Sequence, residues 1–191
     1  MSRIFGITSG PRSNPWFQES SDRVIRPGEL VSFDTDLIGP FGYCADISRS
    51  FFCGPGRPSD EQRRLYGLAM EQIHYNMDLL KPGLSYRELA ERAWKLPETC
   101  APNRYSVILH GVGLCDEYPA CLYQEDFERH GYDGHLEAGM TVCVESFIGE
   151  VGGPGEFREG VKLEQQVLIT ETGVELLSTF PFEEELLGRQ V

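Results

Sequence analysis

The sequence predicts an α+β fold, a curved antiparallel sheet with a pair of helices on one face. Three observations lead there. Short apolar runs of strand length recur along the chain, separated by turns rich in glycine and proline. Between residues 59 and 96 the apolar spacing switches to that of amphipathic helices. No linker, low-complexity stretch or tandem repeat divides the 191 residues, so one domain spanning 1–191 is expected.

Taken in order, "SRIFGITSG" alternates as a strand and "GPRSNP" closes it with turn residues. "RPGELVSFDTDLI" is a turn signal followed by a second strand. "GPFG" makes the next turn, and "YCADISRSFFCG" reads as a strand antiparallel to the one before it. "PSDEQRRLYGLAMEQIHYNMDLLKPG" starts at an N-cap, Ser59, with acids in its first turn, and stops at Lys81-Pro82-Gly83. "LSYRELAERAWKL" is a shorter helix capped by Ser85, with Glu88 expected to complete a capping box. "YSVILHGVGL" is a strand and a glycine loop, "GMTVCVESFIG" a strand, and "GVKLEQQVLITETGVELLS" a hairpin.

Composition narrows the function. With 40% hydrophobic and 11% aromatic residues the chain can build a core. A net charge of -13, from 30 acids against 17 bases, argues against nucleic acid or an anionic membrane as partner. No apolar run reaches the roughly 18 residues of a membrane span, and nothing like a signal peptide precedes the first strand, so a cytoplasmic protein is expected. The six cysteines, at 44, 53, 100, 115, 121 and 143, form no CxxC pair, which fits free thiols in a reducing compartment.

The chemistry lies in acids placed where core strands should be. Asp34 and Asp36 are two apart, so on a strand both leave the same face. Asp46 sits across the hairpin, His110 ends the run "SVIL", Glu145 follows "TVCV", and Glu164 lies in "VKLEQQVLI". A buried carboxylate is costly unless it is paired, and five of them cannot neutralise one another. Two divalent cations can. An oxygen-rich set with one imidazole suits Fe(II), Mn(II) or Co(II). A single acid of this kind is ordinarily a turn or surface residue; six such residues in this arrangement indicate a site. Cys44 and Cys143 each stand two residues before a proposed ligand and read as small buried hydrophobes that also have the option of lining the site. Arg49 reads either as a clamp for a ligand carboxylate or as a surface salt bridge. His74, His130 and His135 read as solvent-facing or capping residues, the last two in the loop "ERHGYDGHL".

The segments "LVSFDTD…GYCADISRSF", "LHGVGL", "TVCVES" and "GVKLEQQVLIT" resemble the catalytic half of the pita-bread metallopeptidase superfamily, which includes aminopeptidase P, prolidase and methionine aminopeptidase. The resemblance covers about residues 5–175 and implies the pita-bread fold. It also implies two divalent ions, iron first, with manganese, cobalt or zinc as alternatives. Asp34, Asp46, His110, Glu145 and Glu164 match its ligand motifs in order. Members normally carry an earlier part of the domain before "SGP", so the chain reads as the C-terminal catalytic part. The sheet face left without its helices predicts self-association, a homodimer being the expected form.

Two departures matter. The peptidases usually have a histidine after the first strand, where this chain reads "SGPRSNPWF", with Asn14 and Trp16. They have a second in a His-Glu-x-Pro pattern after the His-Gly loop, where "HGVGLCDEYPA" puts Asp116. These departures and the extra Asp36 resemble one branch, the dimethylsulfoniopropionate (DMSP) lyases of the DddP type. That resemblance implies Asp36 as a sixth metal ligand, Asp116 as general base, Tyr105 in the substrate pocket, and elimination of dimethyl sulfide from a small-molecule substrate. Leu114, Tyr118 and Leu122 are expected to give Asp116 an apolar surround that raises its proton affinity. Tyr105, Trp16 and Phe17 are candidates to face the sulfonium. The alternatives are an Xaa-Pro aminopeptidase or prolidase-like hydrolase, or a non-catalytic relative. The segment "IGEVGGPGEFREGVKLE" is longer than the lyases predict, which leaves an altered substrate open.

Overall fold

The computed structural model describes residues 6–16 and 19–188; Phe17 and the opening residues of the first strand-like run lie outside them. The elements are β1 (Gly6–Ser9), β2 (Leu30–Asp34), β3 (Leu37–Ile38), β4 (Cys44–Ala45), β5 (Ser48–Phe52), α1 (Asp60–Leu79), α2 (Tyr86–Arg92), β6 (Val107–Gly111), β7 (Ala120–Leu122), α3 (Gln124–His130), β8 (Thr141–Gly149), β9 (Gly160–Ile169) and β10 (Val174–Leu176). They form a three-stranded sheet, β1-β2-β5, a five-stranded sheet, β10-β9-β8-β6-β7, and the small β3-β4 ribbon. Every pairing is antiparallel.

The two larger sheets join where β5 lies against β9. The Ser50 hydroxyl accepts from the Lys162 backbone N–H at 3.0 Å and donates to the Lys162 carbonyl at 3.0 Å. One side chain thus satisfies both backbone groups of a residue at the seam. α1 covers one face of β8 and β9. Strand alternation sends Val142, Val144, Ile148, Val161, Leu163 and Val167 into the apolar clusters on that side. The same alternation turns Cys143, Glu145 and Phe147 of β8, with Lys162, Glu164 and Gln166 of β9, to the opposite face. That face lies against β2 and β5, so Glu145, Lys162 and Glu164 are buried as well, and Gln166 is partly buried.

The Ser59 cap of α1 stands as expected, and the readings of α2 and of other segments are corrected. The α1 capping box is complete: Ser59 Oγ accepts from Gln62 N at 3.1 Å and Ser59 N donates to Gln62 Oε1 at 2.8 Å. In α2, Ser85 caps the Glu88 N–H at 3.1 Å, but the Glu88 carboxylate turns outward to Arg92 at 2.6 Å and closes no box. The helix ends at Arg92, short of the expected run, and the Trp94 N–H is taken by Asn76 Oδ1 of α1 at 2.9 Å. "YCADISRSFFCG" is two strands, because Asp46 and Ile47 leave the ladder between β4 and β5. The third helix, α3, and the edge strand β7 went unread in the sequence; His130 closes α3 and so is not in a loop.

Arg49 fits neither of its two readings. It is buried, and its guanidinium donates to the Glu164 carbonyl (2.5 Å), Gln165 Oε1 (2.6 Å) and the Phe180 carbonyl (2.6 Å). It also lies 4.1 Å over the Phe182 ring, pinning the C-terminal segment behind β9. Among the described residues no helix is long and apolar enough to cross a membrane.

Candidate metal centre

β8 and β9 pair so that Glu145 stands directly across from Glu164, and β6 sets His110 across from Cys143. Both glutamates are essentially sealed, at 1% and 0% exposure. Like charges opposed on neighbouring strands destabilise a sheet, and their burial makes the cost larger. Asp34 ends β2 and Asp46 sits in the break between β4 and β5, so both reach the same spot from the other sheet.

The carboxylates and the ring converge in overlapping groups. Ligating atoms of Asp34, Asp46 and Glu164 lie within 4.8 Å of one another, as do those of His110, Cys143 and Glu164, and those of Asp36, Asp46 and Asp116. Asp34 groups with Asp46 and Glu164 and Asp36 with Asp46 and Asp116, and the two do not share one strand face, since β2 ends at Asp34. Cys143 is one of the buried groups around the cluster, its thiol donating to the Asp46 carbonyl at 3.6 Å. All six cysteines are free thiols.

Electrostatics mark the cluster as short of positive charge. Burial, and then the carboxylates of Glu164, Asp34 and Glu145, push Asp46 far above the usual carboxylate range. Burial raises Asp34 and Glu145 too. Burial alone opposes a charge on His110, but Glu145 and Glu164 beside it win and raise it to about 12. Burial is likewise outweighed at Glu164, which Lys162 and His110 hold low.

A residue the sequence reading passed over supplies part of the missing charge. Lys162 is 0% exposed. Its ammonium donates to Glu145 Oε2 and to Ser48 Oγ at 2.8 Å, and stands 3.7 Å from Glu164 Oε2. Ser48 Oγ also donates to Asp34 Oδ1 and lies 3.0 Å from Glu164 Oε2. Burial works against the lysine's charge, but Glu145, Asp34 and Glu164 hold its pKa well above the ordinary value. In "GVKLEQQ" it reads as an exposed strand residue; the available signal was its spacing of two from Glu164, which puts both on one face.

Lys162 also changes the role expected of the aromatics. Its ammonium lies 4.7 Å from the centre of the Tyr105 ring and 5.7 Å from that of Trp16. Trp16, Tyr105 and Phe147 form one buried cluster, so these faces already hold a resident cation. Phe17, the third aromatic, lies outside the described residues. Asn14 is tied down, donating to the Glu150 carbonyl at 2.8 Å and accepting from Asn103 at 2.8 Å.

Asp116 comes to the rim of the cluster, its Oδ1 3.8 Å from His110 Nδ1. The apolar surround expected for it is not there: Leu114 and Tyr118 are 71% and 64% exposed, and Leu122 lies half-buried in β7. The neighbours are instead Asp36, Asp46 and the His110 ring. The loop reaches this position because Gly111 has no side chain; a Cβ there would stand 2.1 Å from the Tyr118 carbonyl oxygen. His74 and His135 are exposed, as expected.

The donor set fits divalent ions. Asp46 Oδ1, His110 Nε2 and Glu164 Oε1 are buried with no hydrogen-bond partner. His110 Nε2 is 3.4 Å from Glu145 Oε1 and 3.5 Å from Glu164 Oε1, so two of the orphaned atoms face each other. Buried polar atoms are almost always satisfied, and divalent cations bound among these groups would satisfy them.

Comparison with known proteins agrees with this geometry. Residues 3–171 match the family model described as metallopeptidase family M24. The chain is 48% identical over 183 residues to the dimethylsulfoniopropionate lyase DddP of Roseovarius nubinhibens, covering 96% of this chain and 40% of that protein. It is 30% identical over 186 residues to the Xaa-Pro dipeptidase of Pyrococcus furiosus, covering 95% of this chain and 48% of that one. The solved prolidase from Pyrococcus horikoshii superposes with a TM-score of 0.77 at 26% identity, over 95% of this chain and 49% of that structure. The fold is the pita-bread fold, and the chain spans less than half the length of these relatives.

Proposed function

This chain is a member of metallopeptidase family M24, and from that premise we propose that it acts as a metal-dependent lyase, cleaving dimethylsulfoniopropionate to dimethyl sulfide and acrylate. Asp34, Asp36, Asp46, His110, Glu145 and Glu164 would hold two divalent ions, iron in the native protein. Bound there, the ions supply positive charge for the substrate carboxylate and for the negative charge that develops on the carbon beside it.

The chain's own residues do the rest. Asp116 takes the proton from that carbon. The C–H electron pair becomes the C=C bond of acrylate, the C–S bond breaks, and its electrons leave on sulfur, which turns the sulfonium into neutral dimethyl sulfide. Asp116 then returns its proton to solvent from the rim of the cluster. Tyr105, buried against Lys162, shapes the inner wall of the substrate space.

The observation that carries the lyase reading is Asp116 beside the His110 ring, at the position where the peptidase pattern has a histidine. The 48% identity to a lyase supports it; the 30% identity to an Xaa-Pro dipeptidase keeps hydrolysis as the second reading. The test is headspace dimethyl sulfide from metal-loaded protein given dimethylsulfoniopropionate, with an Xaa-Pro dipeptide as parallel substrate. Sulfide release that falls by about 100-fold or more in Asp116→Asn, with metal content unchanged, is the expected result. Proline release without sulfide contradicts it.

A further inference from the structure

A second cleft, of about 210 Å³, opens between β1 and the segment 20–25. None of the residues around it is a proposed metal ligand. Two arginines, Arg12 and Arg23, and four hydroxyl residues line it. Among the described residues no acid does, in a chain with 30 acids against 17 bases.

The two arginines differ. Arg23 donates to both carboxylate oxygens of Glu29 and to Ser9 Oγ at 2.8 Å, so its fork is fixed and its charge balanced. Arg12 donates to the Glu19 carbonyl at 2.9 Å and pairs with no carboxylate among the described residues. A second observation points the same way. Thr8 of β1 also lines the cleft; it is 3% exposed, and its Oγ1 has no hydrogen-bond partner. Buried hydroxyls are almost always satisfied, so an orphan beside an uncompensated guanidinium marks a place for an oxygen-rich anion.

We infer that this cleft binds a phosphate group, carried as a phosphate monoester. Arg12 supplies the charge, and a phosphate oxygen gives the Thr8 hydroxyl the acceptor it lacks. Donor groups reach the cleft from β1, from the turn at Arg12 and from Ser20 and Ser21. Donors on three segments suit the oxygens of a tetrahedral group better than the two of a planar carboxylate. The volume is about seven times the share of one liquid water, more than a bare phosphate fills. Ile7 and Ile25 line the rest, at 39% and 42% exposure, and offer an apolar wall to the organic part of an ester.

The inference goes beyond the proposed function and depends on neither the metal centre nor the lyase chemistry. It is tested by isothermal titration calorimetry of the full chain with inorganic phosphate and with phenyl phosphate, as purified and after metal removal, with circular dichroism confirming the fold. Both probes should bind the metal-free protein at one site, phenyl phosphate about threefold or more tighter. Arg12→Gln should weaken both by about tenfold or more, in the as-purified protein as well, and Thr8→Val by about threefold or more. Acetate should bind at least about tenfold more weakly than either phosphate. Phosphate binding that disappears with the metal belongs to the metal centre and overturns the inference. A metal-free wild type with no saturable uptake also overturns it, whether or not the variants fold, and so do affinities unchanged in both Arg12→Gln and Thr8→Val.

Discussion

Asp34, Asp46, Glu145 and His110 all have their protonated forms favoured in the folded, metal-free protein, by burial for the acids and by the surrounding carboxylates for the imidazole. The sign follows from linkage. A group whose pKa rises on folding adds stability that is full below its unfolded value and is lost as pH rises through its folded value. For the acids the loss starts near pH 4, and for His110 it runs from about 6.5 to about 12. Glu164 acts oppositely, but its lowered pKa matters only in acid. Metal-free protein should therefore lose stability between pH 5 and pH 8, and saturating Mn(II) should flatten the slope and release protons as it binds. Urea melts across that range check this; identical slopes with and without metal contradict it. The six proposed ligands were legible because each is a charge or imidazole inside an apolar run. Lys162 was not, because a lysine in a strand is ordinarily solvated and raises no alarm. The surround of Asp116 was misread because sequence records that Leu114 and Tyr118 are apolar and not which way they point.

At the scale of elements, the two sheets were readable where alternation is long, as in β8 and β9, and unreadable where elements are short. β7 has three residues and α3 has seven, too few for periodicity to rise above the loop around them. β4 and β5 looked continuous because no glycine or proline marks the break at Asp46 and Ile47. The loop from Gly111 to Pro119 owes its course to one missing side chain. Gly111→Ala would drive a methyl group into the Tyr118 carbonyl and Pro119 Cδ, at 2.1 and 2.5 Å, and the neighbour is backbone, which cannot simply rotate away. The expected outcome is a folded but less stable protein, by about 1–3 kcal/mol, in which the Asp116 loop is displaced and turnover falls while the ligands on β8 and β9 stay in place. Thermal melts and the headspace assay check it; wild-type values for both contradict it.

For the whole molecule, the β3–β4 ribbon exposes Leu37, Ile38 and Tyr43, and Phe41 at its tip is 95% exposed. Contiguous exposed apolar side chains favour association. We propose that this ribbon takes part in a homodimer interface, and Phe41→Asp should then shift sedimentation velocity toward the monomer; an unchanged profile removes the ribbon from the interface. The chain spans 40% of the length of its DddP relative. What this fold does carry is a carboxylate-rich cluster, buried at Asp46, His110, Glu145 and Glu164, in which three buried polar atoms have no partner. The proposed function depends on cations meeting them. Anomalous diffraction from crystals grown in saturating Mn(II) tests that most directly: the account predicts two peaks enclosed by Asp34, Asp36, Asp46, His110, Glu145 and Glu164, and a map without density there contradicts it.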